Sequence, residues 1–152
     1  MAATVVRDIM TKNIVTIEGN KTALEAAKLM SEKGISSLFV MKDTEPIGIV
    51  TERDFIKKVC AKELPIGQVK VADIMSKILT TGEPEMPIEV AVQRMINHKV
   101  RRLPITEAGK IVGIITVTDL AKHLRTTLLL NGTLSDTDSF DSVIATMDHD
   151  KH

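Results

Sequence analysis

The chain of 152 residues has no tryptophan, no tyrosine, three phenylalanines and one cysteine. Each scarcity closes off a class of chemistry. Surfaces that stack the bases of single-stranded nucleic acid are assembled from aromatic side chains, and Phe39, Phe55 and Phe140 are too few and too scattered to make one. A lone Cys60 excludes an internal disulfide and any zinc site built on two or more thiolates. Flanked by Val59 and Ala61, it is expected to be a buried small apolar side chain rather than a reactive thiol. Charge of one sign is also missing: twenty basic and twenty acidic side chains cancel, so no global field draws the protein to nucleic acid or to an anionic membrane. No apolar run approaches the roughly 18 residues of a membrane span, and the N-terminus lacks the basic segment and apolar stretch of a secretory signal. A cytoplasmic protein is the expectation. No Ser-His-Asp order, glycine-rich Walker loop or metal-ligand cluster is present, and the histidines are scattered at positions 98, 123, 149 and 152. That pattern points away from an enzyme.

What is present is a globular composition, 43% hydrophobic and 26% charged, in a chain long enough for one substantial core. Its informative feature is a repeat. GIVTERDF at 48–55 returns as GIITVTDL at 113–120, an offset of 65, and the same offset aligns much of the chain without a gap. Val6, Asp8, Ile9 and Met10 fall on Val71, Asp73, Ile74 and Met75; Thr16, Ala26, Met30 and Leu38 fall on Thr81, Ala91, Met95 and Leu103. Gly48, Ile49, Thr51, Asp54 and Lys57 meet Gly113, Ile114, Thr116, Asp119 and Lys122.

Both units show the same succession of periodicities. A short β-branched run, Ile14 to Ile17, precedes a capping box Thr22-x-x-Glu25 and a helical stripe of Ala23, Ala26, Ala27 and Met30, with Gly34 placed to end the helix. The second unit repeats the stripe at Ile88, Ala91, Val92 and Met95, with Pro87 where a first turn tolerates proline. Extended segments at 35–41 and 47–51, and at 100–106 and 111–116, flank turn-like residues, and a second helix then starts at Glu52 or Val117. Phe55, Ile56 and Val59, or Leu120, Ala121 and Leu124, are expected on its inner side. Each unit is therefore predicted to run strand, helix, strand, strand, helix: an α/β (α+β) chain with its first two strands parallel and the next pair a hairpin. The units span 5–61 and 71–125, joined by a linker at 62–70 and followed by a C-terminal extension at 126–152 that could lengthen the last helix and then become flexible. About 60 residues cannot cover both faces of such a sheet, so the two units should pack as one module. The ending DHDKH at 148–152 is better taken as a solvated tail than as a metal site.

Thr51-x-x-Asp54 and Thr116-x-x-Asp119 are capping boxes in their own right. Capping leaves Gly48 and Gly113 unexplained, because glycine weakens a strand and often marks close approach by a ligand or another backbone. A strand end, a helix start that favours anions and a carboxylate able to accept both ribose hydroxyls make a nucleoside-sized site. The V-x-D-I-M openings, GISSLFV at 34–40 and the paired GIVTERD and GIITVTD segments resemble a tandem of cystathionine β-synthase (CBS) domains, a Bateman module, over about Val5 to Leu124.

That resemblance implies a non-catalytic regulatory module whose effector is an adenosine-containing ligand such as AMP, ADP, ATP or S-adenosylmethionine, bound in clefts between the repeats, and a homodimer acting on a partner protein. It implies ribose contacts from Asp54 and Asp119, with Thr51 and Thr116 at the ribose or phosphates. Apolar walls are expected from 14–17 and 79–82, which include Thr16 and Thr81, with Ile49 and Ile114 behind them. Where the repeats differ, Ser36-Ser37 stands against Arg101-Arg102, and arginine is the better phosphate donor. One anion-preferring site and one more neutral site are the expectation, with strand alternation sending only one arginine toward the ligand. Lys99 and His98 add positive or titratable character nearby. The competing expectation is a CBS-fold scaffold for protein or nucleic-acid contacts, without nucleotide sensing, through a basic face around Lys99, Arg101 and Arg102.

Overall fold

The computed structural model describes residues 4–132. The expectations for the C-terminal tail, including 148–152, lie outside them. The first unit contains β1 (Thr16–Glu18), α2 (Ala23–Lys33), β2 (Ser37–Lys42), β3 (Glu45–Thr51) and α3 (Glu52–Phe55), preceded by the single turn α1 (Val6–Ile9). α3 runs on as a π-helical stretch, Ile56–Cys60. After the linker come α4 (Val71–Ile74), α5 (Ile88–His98), β4 (Arg102–Glu107), β5 (Lys110–Thr116) and α6 (Val117–Leu130). The residues expected to extend the last helix do so.

Local chemistry places these boundaries. The Thr22 hydroxyl accepts from the Glu25 amide at 3.1 Å while the Glu25 carboxylate accepts from the Thr22 amide at 2.9 Å, and Gly34 ends α2 at φ 65°. α5 has no such glycine: Lys99 holds the same left-handed position at φ 55°. β1 is parallel to β2, and β2 antiparallel to β3. The second unit departs from its twin. β4 and β5 form the expected hairpin, but the first strand of that unit is reduced to one parallel bridge, Gly82 to Ile105, the register of Ile17 to Val40 in the first unit. Instead, Arg94 holds the Thr81 carbonyl with its Nη1 at 2.7 Å.

The two units are bound together by an exchange of segments. α1 docks on the second unit, with the Val6 amide donating to Met86 O at 2.9 Å and the Arg7 amide to Pro84 O at 2.8 Å. α4 docks on the first, with the Val71 amide donating to Lys21 O at 2.8 Å and the Ala72 amide to Gly19 O at 3.0 Å. The cores follow the exchange. One buries Leu38, Val40, Val50 and Val59 with Val71 and Ile74; the other buries Leu103, Ile105 and Ile115 with Val6 and Met10. Neither core is complete without residues from the other unit. Outside the second core, Arg7 donates to Glu85 at 2.7 Å and to Glu107 at 2.8 Å; these hydrogen bonds, to Glu85 first and then Glu107, raise its guanidinium pKa.

The exchange accounts for both strand glycines. A Cβ at Gly48 would lie 2.5 Å from Met75 Sδ and 2.8 Å from Ser76 O, and one at Gly113 would lie 2.8 Å from Met10 Sδ and 2.9 Å from Thr11 O. The neighbour is another backbone, joined by a two-way bridge at each site: Ile49 with Ser76 at 2.9 and 2.8 Å, Ile114 with Thr11 at 3.0 and 2.9 Å. Two other expectations are corrected. Cys60 is exposed, because Val59 takes the inward position and the next helical residue turns away. Ile56, expected inside, is 63% exposed.

Candidate functional site

Each strand-to-helix junction is held by a reciprocal cap. In the first unit Asp54 Oδ2 accepts from the Thr51 amide at 2.9 Å and from Thr51 Oγ1 at 3.2 Å. In the second, Asp119 Oδ2 accepts from the Thr116 amide at 2.9 Å and Thr116 Oγ1 at 3.0 Å. A hydroxyl delivered by the exchanged segment reaches the remaining oxygen of each carboxylate: Ser76 Oγ at 3.3 Å from Asp54 Oδ1, Thr11 Oγ1 at 3.3 Å from Asp119 Oδ1. The symmetry stops there. Lys58 Nζ lies 3.1 Å from Asp54 Oδ1 and also donates to Ile74 O at 3.0 Å, and Asp54 is only 7% exposed. Among the described residues no cation stands within ion-pair distance of Asp119, which is half-buried.

A cavity of about 1100 Å³ opens between the units. The first unit lines it with Thr11, Asn13, Ile14 and Val15, with Ala27, Met30 and Ser31 of α2, and with 34–37 and Phe39. Glu52, Phe55 and Ile56 add a further wall. From the second unit come Ile114, Thr116, Thr118, Lys122 and Arg102. Two cations, Arg102 and Lys122, thus face one carboxylate, Glu52.

The cavity gathers part of the expected site. Ile114, Thr116, Ser36, Ser37 and Arg102 line it; Asp119 stands immediately behind Thr11. Thr51, Asp54, Ile49, Thr16, Thr81 and Arg101 are not in its lining. Thr16 is exposed at the start of β1, Thr81 is engaged by Arg94, and Arg101 is exposed, its carbonyl accepting from the Val117 amide at 3.1 Å. Strand alternation does separate the arginines, Arg102 turning inward. The serines and the arginine do not mark separate sites, however, since Ser36, Ser37 and Arg102 share one wall system. Thr11, Thr118, Lys122 and Phe55 were not expected there. Lys122 had a signal in its register with Lys57, and Thr11 in its register with Ser76, a hydroxyl for a hydroxyl. Among the described residues no group of three or more His, Cys, Asp or Glu could hold a metal ion, and no helix is long and apolar enough to cross a membrane.

Two packed units, each a hairpin and its helices closed by the other's opening segment, define a tandem module with a cleft between its units. The CBS domain family model matches residues 6–61 and again 71–126, and the chain belongs to that family. It is 37% identical over 116 residues to the CBS domain-containing protein YhcV of Bacillus subtilis, covering 76% of this chain and 82% of that one. A protein with CBS domains from Burkholderia ambifaria superposes with a TM-score of 0.74 at 33% identity, covering 81% of this chain and 95% of the other. The CBS domain pair of protein MJ0100, solved with 5′-methylthioadenosine and S-adenosyl-L-methionine, shares the fold at a TM-score of 0.72 and 24% identity, over 83% of this chain and 99% of that one. The protein is a tandem CBS module, of the regulatory kind.

Proposed function

We propose that this module is a non-catalytic sensor of an adenosine-containing ligand, held in the cleft between repeats and read out by a partner protein. The cavity carries the reading: its walls come from both units, apolar where Ile14, Val15 and Met30 meet, polar where Thr116, Thr118 and Lys122 surround the Asp119 junction. An adenine ring suits the first region, and a ribose and phosphates suit the second. The excess of Arg102 and Lys122 over Glu52 favours a phosphate-bearing ligand, AMP, ADP or ATP, over the cationic S-adenosylmethionine. The adenosine-type ligands of the MJ0100 domain pair support the ligand class on grounds of fold alone.

Binding regulates a partner only if the ligand prefers one arrangement of the units. A homodimer belongs to the same proposal and is tested by light scattering. The absence of Trp and Tyr leaves the protein nearly transparent at 280 nm, so an adenine band in the spectrum of protein purified without nucleotide identifies a carried ligand, and mass spectrometry after denaturation names it. Should that band be absent, titration with AMP, ATP and S-adenosylmethionine must show binding; none from any of them refutes the sensor and leaves the scaffold.

A further inference from the structure

The two motifs spell the same site, yet the structure treats them differently. In each, the capping box occupies Oδ2, so a ribose must draw on Oδ1. At Asp119 that oxygen meets one neutral hydroxyl, Thr11 Oγ1 at 3.3 Å. At Asp54 it meets Ser76 Oγ and, at 3.1 Å, the ammonium of Lys58. We propose that this pair is a one-site sensor: Lys58 occupies the Asp54 motif as an internal cation, and the Asp119 motif alone serves the ligand. The inference rests on the nucleotide reading above and assigns it to one of two sister motifs.

Three independent features agree. The first is charge. A buried carboxylate already compensated by an ammonium has little to gain from a neutral sugar, which would have to displace an ion pair within hydrogen-bond distance. Lys58 is anchored at a second point, the Ile74 carbonyl at 3.0 Å, and Ile74 belongs to the exchanged segment, so displacement would also free a carbonyl. The residue at the same place in the second unit is His123, and the described structure places no ion pair between it and Asp119.

The second feature is the wall. Ile14 and Val15, which face the cavity beside Asp119, correspond in register to Leu79 and Thr80. Leu79 is 67% exposed, directed to water rather than folded over a ring. The third is the anion side. Lys122 and Arg102 both line the cavity that reaches Thr116, and the register counterpart of Arg102 is the neutral Ser37. Carboxylate, apolar wall and cations converge on one cleft.

Isothermal titration calorimetry of the full chain with AMP tests this. One AMP per chain is expected. Asp119→Asn should weaken binding by at least about tenfold, the loss of one charge-assisted pair of hydrogen bonds, while Asp54→Asn should leave stoichiometry and affinity within about twofold. Lys122→Ala, on an exposed position outside the core, should weaken AMP more than adenosine and gives a second reading of the same cleft should Asp119→Asn unfold. Lys58→Ala should raise the stoichiometry toward two, the new site being the weaker; the unchanged first site then reports that the variant is folded. Two AMP per wild-type chain, or loss on Asp54→Asn but not on Asp119→Asn, overturns the one-site assignment. A stoichiometry of one in Lys58→Ala overturns the role of Lys58. If the wild type binds none of AMP, ATP, S-adenosylmethionine and 5′-methylthioadenosine, the nucleotide reading itself fails and takes this assignment with it.

Discussion

Replacing Gly48 by alanine adds one methyl group to the chain and should test the segment exchange more sharply than any larger change. The new Cβ would stand 2.5 Å from Met75 Sδ and 2.8 Å from the Ser76 carbonyl oxygen. The thioether lies near the end of a flexible side chain and can rotate away. The carbonyl cannot, because Ser76 is tied to Ile49 by two backbone hydrogen bonds of 2.9 and 2.8 Å. Relief therefore means pushing α4 and its Val71 and Ile74 out of the first core. Overpacking of this kind costs about 1–3 kcal/mol, and weakening the bridge adds about 1 kcal/mol per hydrogen bond. A total near 3–4 kcal/mol is a large share of the roughly 5–15 kcal/mol that holds a domain of this size.

Urea denaturation followed by far-ultraviolet circular dichroism suits a protein with no Trp or Tyr. With a slope of about 1–3 kcal/mol per molar urea, the midpoint should fall by at least about 1 M. Gly113→Ala should behave alike but somewhat more mildly, its contacts being 2.8 and 2.9 Å. Gly67→Ala is the control: its nearest neighbour, Leu24 Cδ2, is 4.0 Å away, and the loss of backbone freedom in the unfolded chain makes it neutral or slightly stabilising. Equal midpoints for Gly48→Ala and Gly67→Ala would refute the close approach as the reason for the strand glycines.

Lys99→Gly should stabilise the protein by about 1 kcal/mol, because it relieves a left-handed residue at φ 55° where the sister helix carries Gly34; an unchanged thermal midpoint would count against that. Thr51→Ala and Thr116→Ala should each cost about 1 kcal/mol through loss of the cap, but only Thr116→Ala should also weaken AMP, which melting and calorimetry on the same samples would separate. Val6→Ala should lower hydrogen-exchange protection first in β4 and β5, and Val71→Ala first in β2 and β3, opposite to their order in the chain; loss of protection in the unit nearest in sequence would contradict the exchange.

The repeat, the helices with their caps and the hairpins were legible in the sequence because each rests on local pattern: a period of 3.6 between Ala23 and Met30, a hydroxyl and a carboxylate three apart, a glycine where φ must be positive. The exchange was not. Val6 and Val71 occupy the same place in identical patterns, so either would fill its own unit's core as readily as the other's, and nothing in one repeat's sequence says which. Gly48 and Gly113 carried the only sign, glycines whose neighbour could have been ligand or backbone. The lost strand near Gly82 was hidden for a different reason. Thr81 and Gly82 align with Thr16 and Ile17, and the absence of a β-branched side chain at 82 weakens a three-residue strand that has little margin. At the candidate site, the register showed two intact Thr-x-x-Asp motifs and placed their difference at Ser36-Ser37 against Arg101-Arg102. Lys58 and His123, one of several unmatched pairs in that register, distinguish them.

Under the one-site proposal, the exchange identifies where a ligand would exert force. Thr11 donates to Asp119 Oδ1 through its hydroxyl and pairs with Ile114 through its backbone, one residue after Met10, which is buried in the second core. Thr11 also lines the cavity together with Asn13, Ile14 and Val15 of the first unit. A ribose that takes Asp119 Oδ1 must therefore turn the Thr11 hydroxyl aside, at the one point where the first unit's wall is continuous with the second unit's core. Closely packed interiors shift between discrete arrangements instead of yielding gradually, so under this proposal an adjustment at Thr11 would be passed to segment 4–11, where Arg7 pairs with Glu85 and Glu107. The corresponding path from Asp54 runs through Ser76 to Ile74 and is already clamped by Lys58. On the one-site proposal, the Asp119 motif is the one placed to move a segment when ligand binds, and Lys58 holds the segment at Asp54 fixed.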